Sequence, residues 1–174
     1  MKKIAICFVV SLLFITLSPI MANLGNDIID KIKPTESDIP NGFMYGIIPD
    51  YARKILKENP WAMDKNAIKK LTDKIYPQGD YKKISKIHMT IMAKKETPHG
   101  DDIVCYIIQF RDRASAKVEI EKLAEFVEFN KDRSIVVTKE NMVVYLHVDD
   151  VENFHIIRKM SKKIEKNLTG LIKK

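Results

Sequence analysis

The chain reads as an α+β domain: a four-stranded antiparallel sheet of ββα–ββα order with two packed helices, preceded by a short helical region. Three features predict this. The hydrophobic period changes from about 3.6 to about 2 at Ile84. Two strand pairs follow, each running into an acid-capped amphipathic helix. The two units also align, Ile103-Val-Cys-Tyr-Ile107 with Met142-Val-Val-Tyr-Leu146. This order is a ferredoxin-like βαββαβ plan with its last strand moved to the front, a topological likeness that carries no chemistry.

The elements follow from the pattern. Residues 1–22 are set aside as a secretory signal peptide: Lys2 and Lys3, an apolar stretch from Ile4 to Leu17, and a cut after Ala22. Ile20 departs from the small residue usual before such a cut, and an uncleaved anchor is the alternative. Residues 23–48 form a polar arm and linker, with one helical turn around Ile28 to Ile32 and an aromatic turn at Phe43 to Tyr45. Residues 49–80 make the helical N-terminal part of the domain. Pro49-Asp50 starts a short helix with Ala52, Ile55 and Leu56 on one side, and Asn59-Pro60 ends it. Trp61 is expected as a core plug, and Asp64 caps a second helix carrying Ile68, Leu71 and Ile75.

Residues 84–174 hold the ββαββα core. Strands are expected at Ile84 to Ala93, Ile103 to Phe110, Ser134 to Thr138 and Met142 to Val148. The helix capped by Asp112 buries Ala116, Ile120, Leu123 and Val127 and turns Glu119, Glu121, Lys122, Glu125 and Glu128 outward. The last helix buries Phe154, Ile157, Ile164, Leu168 and Leu171.

Composition narrows the function. With 174 residues, 45% hydrophobic and 30% charged, the chain has a globular composition. The formal net charge of +7 falls to +5 once the leader takes Lys2 and Lys3 with it. Such a charge suits an anionic envelope surface or an acidic ligand. The basic residues are nevertheless spread widely, and the densest group, Arg158 to Lys166 on the last helix, reads as a solvated face. Only Cys105 remains after cleavage, so no internal disulfide forms. The export signal places the protein in the periplasm or outside the cell and argues against nucleic acid. No later apolar run is long enough for a membrane span.

Strand parity sorts the sheet residues. With both helices on one face, Ile87, Met89, Ile91, Cys105, Ile107, Val144, Leu146 and Val148 meet them. The second face carries His88, Thr90, Met92, Val104, Tyr106, Ile108, Phe110, Val136, Thr138, Tyr145 and His147. That face is too apolar to stand bare in water. The N-terminal helices, a second subunit in a homodimer, or a ligand must cover it.

His88, Tyr106, Tyr145 and His147 are therefore the candidate ligand-binding residues, since imidazoles and phenols offer both ring faces and hydrogen bonds. No HExxH or paired CxxC spacing marks a metal site, and no cofactor motif occurs. Cys105 points into the core rather than at a base. Asp101-Asp102 and Asp149-Asp150 suit turns and caps, and His99 and His155 sit at the surface. Asn167-Leu-Thr169 matches a glycosylation acceptor, but lies within the last helix. No catalytic residue is assigned. The reading is an exported binding or interaction module for a small molecule or protein, using the sheet face opposite the long helices. Its alternative is a small exported enzyme or metal-binding protein with a site around His88 and His147.

Overall fold

The computed structural model describes residues 28–172. Residues 1–22, expected to form a signal peptide, lie outside them. The domain is α+β, and its sheet is antiparallel, but it has six strands among the described residues rather than four. These are β1 (Phe43–Tyr45), β2 (Trp61–Ala62), β3 (Ile84–Lys94), β4 (Ile103–Phe110), β5 (Ser134–Lys139) and β6 (Met142–Val148). The helices are α1 (Lys65–Ile75), α2 (Arg113–Glu128) and α3 (Phe154–Ile172), with a further helical turn at residues 28–32. The strands run in the order β1-β3-β4-β6-β5, and β2 pairs with the same edge of β3 as β1.

The helix termini follow the expected capping chemistry. The Asp64 carboxylate accepts from the Ala67 N–H at 2.8 Å, and Asp112 accepts from Ser115 N–H at 2.7 Å. Asp150 caps a 3-10 turn, Val151–Asn153, that leads into α3. Asp102 accepts from the Lys94 N–H at 2.9 Å at the β3–β4 turn. Both acidic pairs thus contribute a residue to turn or cap geometry.

The two long helices do not share a face, which corrects the expected layering. α2 packs with α1 and Trp61 over Tyr106, Ile108, Phe110, Val143 and Tyr145. On the other face α3 and the 28–32 turn cover Cys105, Ile107, Val144, Leu146 and Val148. Strand length explains the split. β4 has eight residues and β6 seven, and both start in the same phase. Because side chains alternate, β4 ends with Phe110 toward one face and β6 with Val148 toward the other. Each following helix folds over the face its strand end addresses. Side chains such as Leu123 and Ile157, 1% and 0% exposed, each contribute about 1.5–3 kcal/mol by burial.

Two smaller expectations are also revised. The segment after Pro49 is not an α-helix: only a 3-10 turn, Asp50–Ala52, forms, and Ile55 is left 49% exposed. Phe43 to Tyr45 is a strand, entered through a turn at Gly42, whose φ of 87° lies in the left-handed region. Trp61 is buried as expected, at 3% exposure. No helix among the described residues is long and apolar enough to cross a membrane.

Asn59 explains why residues 46–60 stay irregular yet close to the sheet. β1 pairs with Met92 to Lys94, and β2 pairs with His88 and Met89. Between them the Asn59 side chain stands in for a strand residue. Its Oδ1 accepts from Ile91 N–H, and its Nδ2 donates to the Ile91 and Gly46 carbonyls, all at 2.8 Å. Replacing Asn59 with Ala takes the partner from the Ile91 N–H and from the Gly46 carbonyl in a partly buried place, while the Ile91 carbonyl keeps the Gly46 N–H at 3.0 Å. Asn59→Ala is expected to lower stability by about 2–3 kcal/mol, read as a lower urea midpoint at unchanged m-value. A loss below about 0.5 kcal/mol would show that water replaces the side chain there.

Candidate functional site

The cross-strand register decides which candidate residues meet. Met89 lies opposite Tyr106, Tyr106 opposite Tyr145, and Tyr145 opposite Val136. His88 lies opposite Ile107, and Thr90 opposite Cys105. Directly opposed residues share a face. Tyr106, Tyr145 and His147 therefore gather under α2, while His88 and Thr90 point the other way, beneath the N-terminal arm. The expected phase of β3 is reversed. The β3–β4 loop sets this register, and a one-residue difference in pairing moves every side chain of a strand to the other face.

The three residues under α2 form a packed ladder. The Tyr106 and Tyr145 rings stack at 6.4 Å, Phe126 meets Tyr145 edge-on at 6.1 Å, and His147 lies 6.2 Å from Tyr145. The Ser134 hydroxyl lies 2.8 Å from His147 Nδ1 and 3.3 Å from the Tyr145 hydroxyl. Burial pushes the Tyr106 phenol up to about 12 and holds His147 below its ordinary value. Ser134 is only 4% exposed, so this contact serves as a satisfied bridge between β5 and β6. Cys105, 1% exposed, is a core residue whose thiol burial raises to about 12. No group of three or more residues suited to a metal occurs among the described residues.

His88 has different surroundings. It stands on the wall of a cleft of about 710 Å³ between the arm, β2 and β3. Ile29, Pro34, Pro60, Met63 and Ile87 supply apolar lining, and Asp30, Lys33, Glu36, Tyr45, Glu58 and Lys86 the polar part. The arm roofing it is fixed at several points. Ile29 and Ile32 are buried against the sheet face, and Tyr45 donates to the Pro34 carbonyl at 3.4 Å. Asp38 accepts from Thr35 N–H at 3.0 Å and pairs with Lys163 of α3. At the mouth Lys33 pairs with Asp30 at 2.8 Å, a bond that holds the Asp30 carboxyl below its usual range.

His88 is 7% exposed, and its Nδ1 is buried with no hydrogen-bond partner. Two residues along the same face the Thr90 hydroxyl is also buried and unpartnered. Strand geometry sets the two residues about 7 Å apart. Burial lowers His88 to about 4, with Lys33 adding to the effect and Asp30 opposing it. The imidazole is therefore neutral at physiological pH, with one ring nitrogen donating and the other accepting. Leaving such a buried polar atom unpaired costs about 1–3 kcal/mol. A ligand or water that pairs with it recovers that energy.

Sequence reasoning missed Glu119, assigned to the outer side of α2. It is 0% exposed. Its carboxylate accepts from the Tyr76 hydroxyl at 2.8 Å, the Asp80 N–H at 2.9 Å, Lys122 Nζ at 3.0 Å and Lys83 Nζ at 3.2 Å. Spacing held the signal, since Glu119 lies three residues after Ala116 and four before Leu123, the other two buried residues of α2. Every lone-pair direction has a donor, so the group locks α2 to the α1–β3 connection.

Burial pushes the Glu119 carboxyl up, but the Asp80 N–H, Lys122, Tyr76 and Lys83 together hold it below 4.5. Its stabilisation is therefore complete above pH 4.5 and lost as pH falls through the lower folded value. Glu119→Gln is expected to cost about 2–4 kcal/mol at pH 7 and to flatten the acid limb of the stability curve below pH 4.5. Urea unfolding across pH 3–7 checks it, and an acid limb as steep as in the parent chain counts against the lock.

Comparison of the chain with family models, with curated proteins and with solved structures gives no match.

Proposed function

We propose that this protein is an exported, non-enzymatic binding module for a small, largely apolar or aromatic molecule, held in the cleft beside His88. The observation that carries the reading is that His88, whose buried Nδ1 has no hydrogen-bond partner, lines that cleft. Pockets for small molecules have volumes of about 300–1,000 Å³ and combine apolar walls with a few placed polar groups. The cleft fits that description. The sheet face opposite two helices, expected to bind, is not open: a helix covers each face. The seam between the arm and β3 takes its place. The alternative of a joint His88–His147 site loses its support, because the two imidazoles lie on opposite faces of the sheet.

In the ligand, a single N–H or O–H group meets the imidazole while an apolar body lies against Met63, Ile87 and the two prolines. Indole and phenol have that chemistry. Titrating either one is expected to shift the side-chain ring signals of His88 and to leave the other three histidines in place. His88→Leu is expected to abolish the binding while raising stability by about 1–2 kcal/mol, because it removes an unpaired polar atom. If His88→Leu leaves indole affinity unchanged, or neither probe moves the His88 signals, the cleft is not the binding site. For export, the product recovered outside the cytoplasm is expected to begin at Asn23. Intact-mass measurement that finds Met1 retained would rule out cleavage.

A further inference from the structure

A second cleft, of about 720 Å³, lies across the arm from His88, between the arm and α3. Its floor uses the margin of the apolar stripe of α3. Ile157 and Leu168 face the sheet core and Ile164 borders both core and cleft, whereas Ile156 and Met160 are half-buried, pack at the edge of that core and line the cleft. They are four residues apart, so they stack along one side of the helix. Pro34, Ile39 and Pro40 of the arm close the apolar part.

The rim is basic. Among the described residues, Lys31, Lys33, Lys159 and Lys163 line the cleft together with two acids, Asp30 and Asp38. Each acid already bonds one of these lysines, Asp30 to Lys33 and Asp38 to Lys163. Lys159 makes no ion pair among the described residues and projects one turn before Lys163. The basic group on the last helix is thus not wholly a solvated face, since two of its lysines border an apolar trough.

We infer that this cleft binds a single-chain amphiphile with an anionic head, the chain lying on Ile156 and Met160 and the head between Lys159 and Lys163. Charge complementarity selects the head, and the apolar floor selects the tail. An acidic peptide would satisfy the lysines but leave the trough against polar groups, at a desolvation cost. The floor residues Ile156 and Met160 do not border the His88 cleft, although Asp30, Lys33, Pro34 and Thr35 of the arm line both.

The test uses dodecyl phosphate below its micelle-forming concentration, with dodecanol, inorganic phosphate and hexaglutamate as comparisons, titrated into the full chain by calorimetry. Dodecyl phosphate is expected to bind at least tenfold more tightly than any of the other three. Lys159→Glu is expected to weaken it at least tenfold. Lys162→Glu makes the same charge change on the same helix outside the cleft, and is expected to alter affinity less than twofold. His88→Leu should leave it unchanged. Equal losses in the two lysine variants would reduce the effect to general attraction and overturn the site. So would dodecanol binding as tightly as dodecyl phosphate, or hexaglutamate binding more tightly. Binding to phosphatidylglycerol vesicles without binding to the monomeric amphiphile also overturns it, since that places the contact on a bilayer surface.

Discussion

Side chains alternate along a strand, so two strands that begin in the same phase and differ by one residue end facing opposite ways. β4 and β6 are such a pair, at eight and seven residues. That single residue sends α2 over one face and α3 over the other, and the remaining parts follow. Both faces acquire a core, α1 joins α2 on one side, and the N-terminal arm is left to fill the margin that α3 leaves on the other. Both clefts border this arm, where a short segment spans a gap between larger elements.

The local plan was legible in the sequence, because it rests on periodicity and caps. The β4 and β6 boundaries, the Asp64 and Asp112 caps, and the buried Trp61 and Cys105 all follow from residue type and spacing. What could not be read was relative phase. His88 alternates correctly within β3, but its face depends on how β3 registers against β4, and the intervening loop sets that register. Tyr106, Tyr145 and His147 come together as the alternation implied, since β4 and β6 were phased correctly against each other. Glu119 was misplaced for another reason. Charge type argued for solvent, but a buried carboxylate is tolerated where donors converge, and three of its four donors come from residues 36 to 43 positions away in the chain.

Polar groups in the interior are treated in two contrasting ways. Glu119 has four donors and acts as a fixed joint. The Asn59 amide is likewise fully used. His88, 7% exposed, and Thr90, 0% exposed, are buried and have unpaired atoms. Gln109 Oε1 and Asn153 Nδ2 are buried and unpaired as well, but of the four residues only His88 also lines one of the two clefts.

The Asn59 side chain has a consequence beyond holding its loop. β3 is the longest strand, at eleven residues, and without cover it would present an open row of backbone donors and acceptors along the sheet margin. Two short strands alone would leave a notch at Ile91, the kind of gap into which a strand of another molecule can add. The amide closes that notch with the hydrogen bonds a neighbouring strand would make. The margin of β3 is thereby continuous from His88 to Lys94, with one side chain closing the point between two short strands where another chain could add. The remaining margin, β5, is shorter at six residues and ends in Lys139, a charge that discourages stacking of like edges.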